Sequence, residues 1–212
     1  MPTTIDHLTI TAPNLELGRL WVENLLGVPM QAGGEHPAMG THNCLLRLGD
    51  DVFLEVICAN LSVAIPARPR WFALDTLPAD AAPRLATWVA RSKDIAHDVN
   101  TSTERLGAVT PMSRGALNWH MTIPDDGALV LNGCAPALIA WSVEPHPASK
   151  MTDVGCQLQG LILRHEDPQR LERLLDSIQC TSPINVLRRK HAGEPSLEAL
   201  IKTPTGLKRL SV

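Results

Sequence analysis

Polar and apolar positions alternate from the start of the chain. In Ile5-Asp6-His7-Leu8-Thr9-Ile10-Thr11, His7, Thr9 and Thr11 share one face and Leu8 and Ile10 the other, which predicts a strand. Pro13-Asn14 stops it, and Asn14 is placed to cap a helix in which Leu17, Leu20, Trp21 and Leu25 recur at helical spacing before Gly27. A short edge strand near Val28 to Gln31 and two strand-like runs, Asn43 to Leu48 and Val52 to Cys58, follow, the last two hinged at Gly49-Asp50-Asp51. Residues 4–60 thus spell βαβββ. Pro66, Pro69, Pro78 and Pro83 then break every period over residues 61–84, the mark of a connector.

The pattern begins again at Ala86 to Ser92 as a strand, with a helix from Asp94 to about Leu106 ending at Gly107. Leu117 to Ile123 and Ala137 to Val143 are further strands, separated by the turn Pro124-Asp125-Asp126-Gly127, so residues 86–144 read as a second βαβββ unit. A third start follows: strand Leu158 to Leu163, then a helix opening on Asp167-Pro168 with Leu171, Leu174, Leu175 and Ile178 in one stripe. Strands Ile184 to Arg189 and Leu197 to Lys202 and the turn Pro204-Thr205-Gly206 complete it. The expected architecture is α+β: paired βαβββ modules (about 4–60 and 86–144, within residues 1–147) forming a curved-sheet cup, with a C-terminal βαββ half-module over residues 155–212.

Composition narrows what such a cup can do. The 212 residues carry 19 Lys and Arg against 22 Asp and Glu, and apart from Arg188-Arg189-Lys190 the basic residues are scattered, so no positive face is built for phosphate backbones and nucleic acid is excluded as a partner. No apolar run reaches the roughly 20 residues that span a bilayer, and the first residues have no signal-peptide pattern; a cytoplasmic protein is expected. Cys44, Cys58, Cys134, Cys156 and Cys180 never form a C-x-x-C pair and read as reduced, buried apolar residues. A chain of this size needs no metal merely to fold, so a metal here would signal chemistry. With no Tyr, proton transfer falls to eight His and the carboxylates, while five Trp supply the large planar surfaces.

Glu55 lies centrally in the apolar strand Val52-Phe53-Leu54-Glu55-Val56-Ile57-Cys58, where a carboxylate must be protonated, paired, open to a cavity or metal-bound. If the first and last strands of the unit are neighbours, His7 and Glu55 aim into one cup. Imidazole and carboxylate together suit Zn, Ni, Fe or Mn, although a simple hydrogen bond between the two is the alternative. His120, on the face opposite Trp119, is the candidate third group from the second unit and a candidate proton carrier alongside Glu55. His42 and Asn43 are placed to hydrogen-bond a substrate, and Trp88, Trp119 and Trp141 to wall an apolar pocket. His36-Pro37 and His146-Pro147 read as loop signals.

The βαβββ repeat, with Ile5-Asp6-His7-Leu8 at its start and Leu54-Glu55-Val56 at its end, resembles the vicinal oxygen chelate superfamily. Gly40-Thr41-His42-Asn43 with Leu48-Gly49-Asp50-Asp51-Val52-Phe53-Leu54-Glu55-Val56-Ile57 is similar to the glyoxalase-like domain group within it. The resemblance implies a divalent metal chelating vicinal substrate oxygens, with His7 and Glu55 at the two ligand positions of the first module. The second module departs from it: counting back from the helix cap puts Thr87 or Trp88 at the corresponding first-strand position, and the last strand offers Ala140, Trp141 and Ser142, so a four-ligand site is not expected. Ring-cleaving dioxygenases of this architecture place a Tyr beside the metal, an arrangement a Tyr-free chain cannot reproduce. Two functions follow: a divalent-metal-dependent lyase, isomerase or dioxygenase acting on an oxygen-rich metabolite, or a non-catalytic cup that sequesters a small molecule such as an antibiotic. A homodimer through the tail or a module edge is compatible with either.

Overall fold

A computed structural model describes residues 2–192, 194 and 196–211; the two chain ends, where the expected domain ranges begin and finish, lie outside it. The first βαβββ unit consists of β1 (Thr4–Thr11), α1 (Leu15–Leu26), β2 (Gln31–His36), β3 (Thr41–Arg47) and β4 (Phe53–Ala59). The second consists of β5 (Arg84–Arg91), α2 (Ile95–Thr101), β6 (Ala108–Arg114), β7 (Leu117–Ile123) and β8 (Ala137–Trp141). They share one eight-stranded sheet in the order β2-β3-β4-β1-β5-β8-β7-β6. β1 lies parallel to β4 and antiparallel to β5, with Leu8 opposite Trp88, and this pair is the seam about which the two units are related.

The sheet curls until its two edges approach one another, and alternation then sorts the side chains. Leu8, Ile10, Leu54 and Val56 go to the convex side and pack with Val22 and Leu26 of α1, while Ile57, Val89, Met121 and Ile139 line the concave side. Asn14 caps α1, its side chain accepting from the Leu17 N–H at 2.9 Å, and Gly27 closes it in the left-handed region at φ 72°. α2 is shorter than its sequence promises, ending at Thr101 instead of about Leu106. The Ser102 hydroxyl bonds the Glu104 carbonyl at 2.9 Å and accepts from the Glu104 N–H at 3.2 Å, a local turn that competes with the next helical bonds. β6 has no clear sequence signature because Pro111 interrupts it; as an edge strand it tolerates the missing donor.

The tail holds β9 (Gln157–His165), α3 (Pro168–Ser177), β10 (Ile184–Arg188), β11 (Leu197–Thr203) and a further strand after the Pro204 turn, β12 (Gly206–Leu210), in a four-stranded sheet ordered β10-β9-β11-β12. Its central β9 differs from the edge-to-seam order of the first two units. Leu161, Leu163, Leu171, Leu174 and Ile201 continue the same convex-side core that contains Leu8 and Leu85. No helix is long and apolar enough to cross a membrane among the described residues.

Candidate functional site

The concave face forms a narrow, partly open pocket lined by residues of both units and by the segment between β4 and β5. On β4, alternation aims Phe53 and Glu55 into it while Leu54 and Val56 pack under α1. Trp119 and Met121 of β7 and Trp141 of β8 form the opposite wall, with the Trp119 and Trp141 ring centroids 5.4 Å apart. The proline-rich stretch between β4 and β5 is more than a connector: it lays Trp71 and Phe72 over the cavity, both buried, and is tied down where Arg70 donates to Asp75 at 2.6 Å and to the Gly40 carbonyl at 3.1 Å.

His7 is fixed by its neighbour. The register of β1 against β5 slips between Ile5 and His7, a bulge that lets the fully buried Asp6 engage residues on the cup side. Asp6 accepts three hydrogen bonds, from His7 Nδ1–H at 2.6 Å, from Trp141 Nε1–H at 2.8 Å and from His146 Nε2–H at 2.9 Å. The His146 tautomer is consistent with this, because its Nδ1 accepts from the Ala148 N–H at 3.2 Å. Burial opposes ionisation of Asp6, but the hydrogen bonds from His146 and His7 outweigh it and hold its carboxyl well below the usual carboxylate range.

With Nδ1–H given to Asp6, His7 turns Nε2 toward Glu55 Oε2 at 3.7 Å, within ion-pair range but too far for a hydrogen bond. Glu55 is held through its other oxygen, which accepts from Asn43 Nδ2–H at 2.5 Å. Asn43 is oriented in turn: its Oδ1 accepts from the Gly34 N–H at 2.7 Å and from Arg114 Nη1 at 3.3 Å. Arg114 Nη1 also lies 3.3 Å from His36 Nε2, and His36 Nδ1 bonds the Thr41 hydroxyl at 3.1 Å. Burial, with a smaller contribution from Arg114, pushes His36 down to about 4, so the ring is neutral and accepts from the guanidinium.

The donor set fits a divalent cation at two positions. Neither His7 Nε2 nor Glu55 Oε2 makes a hydrogen bond among the described residues, and their 3.7 Å separation is one that an ion with bonds of about 2.0–2.2 Å to each can bridge. The carboxylate behind His7 is the outer-shell partner that metal-bound histidines ordinarily have. Among the described residues no three or more His, Cys, Asp or Glu side chains cluster into a metal centre. The register explains why. His7 pairs with Val89 and Thr9 with Thr87, so the seam relates His7 to Thr87; Thr9 pairs with Glu55 as Val89 pairs with Ala137, so Glu55 corresponds to Ala137. Sequence counting left Thr87 or Trp88 open for the first position, of which the register takes Thr87, and offered Ala140, Trp141 and Ser142 for the other, three to five residues beyond Ala137. The Thr87 hydroxyl donates to the Gly133 carbonyl at 3.2 Å.

His7, Asn43, Glu55, Trp119 and Trp141 thus share the cavity. His42, His120 and Trp88 do not line it. His42 is half-buried and one step out of phase with Asn43; His120 is exposed, because Trp119 and Met121 take the concave positions of β7. Trp88 is buried on the convex side opposite Leu8, its indole N–H donating to the Cys134 carbonyl at 2.9 Å. The groups that sequence reasoning passed over are Asp6, whose side-by-side placement with His7 in an apolar strand was the available signal, and His36, Arg114 and His146, which sit at strand ends or in a loop and carry no local signal. Cys44 is pushed up to about 12 and Cys58 and Cys134 to about 11 by burial, so none of these is a ready nucleophile.

The profile of the glyoxalase-like domain family matches residues 5–178. A hypothetical protein from Staphylococcus aureus superposes over 100% of this chain and 86% of its own, with a TM-score of 0.57 at 12% identity, a likeness of fold. Methylmalonyl-CoA epimerase from Mycobacterium tuberculosis aligns over 66% of this chain and 88% of its own, with a TM-score of 0.42 at 16% identity. A Streptomyces coelicolor methylmalonyl-CoA epimerase aligns over 68% of this chain and 100% of its own, with a TM-score of 0.43 at 15% identity. No protein of curated function matches the sequence.

Proposed function

The chain belongs to the glyoxalase-like domain family, and on that premise we propose that its cup binds a small oxygen-bearing metabolite on which His7 and Glu55 act together, with a divalent cation as their shared ligand. The observation that carries the reading is that His7 Nε2 and Glu55 Oε2 face one another, neither of them hydrogen-bonded among the described residues, inside an apolar cavity. With Nε2 unprotonated the two would be buried acceptors in need of a positive centre, which a divalent cation bound to both would supply. A bound divalent ion supplies polarisation of a substrate carbonyl or enolate oxygen.

The protein's own part is positioning and proton handling. Asp6 fixes the His7 tautomer and ring orientation, since its carboxylate can only accept. Asn43 holds one oxygen of Glu55 and so fixes the plane of its carboxylate, keeping Oε2 directed at His7 and at the cation the two would share. Trp71, Phe72, Trp119 and Trp141 keep bulk water from the reacting atoms, which strengthens each electrostatic contact there.

Metal analysis after loading with Zn, Ni, Fe or Mn and desalting tests the pairing. The wild type should retain close to one ion per chain, and His7→Ala and Glu55→Gln should each lose it by tenfold or more; a wild type that retains none ends the metal reading. Thr87 and Ala137 at the second-module positions favour a second reading, a non-catalytic binder. Ligand binding that survives both Glu55→Gln and chelation, with no turnover, selects it.

A further inference from the structure

We propose that the ligand of this cup is a small monocarboxylate with an apolar body and a second oxygen, its carboxylate seated on Arg114 and its oxygen directed to the His7 and Glu55 end. The assignment rests on the reading of the cavity as a small-molecule site and adds the ligand class to it.

Arg114 is the last residue of edge strand β6 and reaches across the mouth of the curled sheet to the opposite edge. There it lies against Gly34 of β2, where an added Cβ would stand 2.8 Å from its Cδ and 3.2 Å from its Nε, so the glycine makes room for the side chain. Only Nη1 is engaged, by the neutral acceptors His36 Nε2 and Asn43 Oδ1, each at 3.3 Å. Among the described residues no carboxylate lies within ion-pair distance of this guanidinium, and Nε–H and the Nη2 hydrogens have no protein acceptor. A half-buried cation steadied by neutral groups with one edge of its fork free is arranged for a planar oxyanion. Trp71, which lines the same cavity, has its buried indole N–H without a partner, a second donor in need of an acceptor.

The charge balance of the cavity sets the valence. Its lining holds one guanidinium and, two hydrogen bonds away through Asn43, the carboxylate of Glu55. The one open edge of the Arg114 fork pairs a planar carboxylate, whereas a phosphoryl dianion would bring a second charge with no second Lys or Arg side chain among the lining residues to meet it. Asn43 also sets the spacing, since it holds Arg114 at one end of a short polar row and Glu55 at the other, with aromatic side chains facing it. A molecule charged at one end, oxygenated a few atoms away and apolar on its flank matches the row.

The test is quenching of Trp fluorescence by 4-methyl-2-oxopentanoate and 4-oxopentanoate, against their methyl esters, on the full chain. At least one acid should bind the wild type saturably and roughly 10- to 100-fold tighter than its ester, and Arg114→Met should bring acid and ester to within about threefold of each other. Arg114→Lys should recover part of the preference, since it keeps the charge but loses the fork. Acid and ester binding alike, no saturable signal from either acid, or an acid preference that persists in Arg114→Met overturns the assignment. Inorganic phosphate displacing the acid at equal or lower concentration also overturns it, in favour of a phosphoryl ligand. Retention of metal by the wild type and Arg114→Met reads the His7 and Glu55 pairing separately, so either idea can fail without the other.

Discussion

Asp6 and His36 show how two buried polar residues do opposite work. Asp6 is ionised because three N–H groups converge on it, and it contributes stability above the ordinary aspartate pKa that is lost as acid protonates it. His36 is neutral because burial, a guanidinium at 3.3 Å and a hydroxyl at 3.1 Å leave no place for a second charge. Its folded pKa of about 4 lies below the ordinary histidine value near 6.5, so above 6.5 the ring costs nothing. As pH falls from 6.5 to 4 the unfolded chain takes a proton that the folded chain refuses, and stability drops by roughly 3 kcal/mol before levelling off. Melting temperatures taken across this window should decline in the wild type and hold nearly flat in His36→Gln, which keeps an acceptor for Arg114; equal slopes would sink the assignment. His7 and Glu55 were legible in the sequence because each is a polar residue in a strand that has no other use for it. Arg114, His36 and His146 were not, because a residue at a strand end or in a loop acquires meaning only from what the chain brings beside it.

The elements place these residues through small local irregularities. β2 is the clearest case: Gln31-Ala32-Gly33-Gly34-Glu35-His36 has little strand character, and its register against β3 shifts between Ala32 and Glu35. The reason is Asn43. A Cβ on Gly33 would lie 2.0 Å from Asn43 Oδ1 and 2.8 Å from the Asn43 carbonyl oxygen, so only glycine leaves room for that amide to face Gly34 and Arg114. Gly33→Ala should therefore turn Asn43 out of place, cost about 1–3 kcal/mol in a denaturant titration, and weaken carboxylate binding without a change in the apolar walls. Unchanged stability and binding would mean the glycine is incidental. α1 and α3 stand where periodicity and caps put them, since Asn14 and Asp167 are bonded to the helix N–H groups that their positions foretell. α2 and β6 were misjudged or passed over because a serine hydroxyl and an edge position, both matters of three-dimensional context, outweigh local preference.

Across the whole molecule, the convex-side core runs without interruption from Leu8 and Leu85 of the first sheet to Leu163 and Ile201 of the second. A cavity opened anywhere in it should be felt by both sheets. Leu163→Ala, in the second sheet, should lower the stability of the whole chain by about 2–5 kcal/mol, with one transition seen both by Trp fluorescence, which reports the first sheet, and by far-ultraviolet circular dichroism; two separated transitions would show the sheets unfolding independently. The sequence by itself determined the α+β class, the repeated strand-helix-strand order, the helix caps and the two polar strand residues His7 and Glu55, because each of these depends on neighbours within a few positions. Only the tertiary structure decided that β1 and β5 form the seam, that Thr87 and Ala137 stand where a second ligand pair would be, and that Arg114 crosses from one sheet edge to the other to meet Asn43 and His36. Those relations join residues 48 to 87 positions apart. They follow from the curl and register of the sheet, and no local pattern of side chains encodes either.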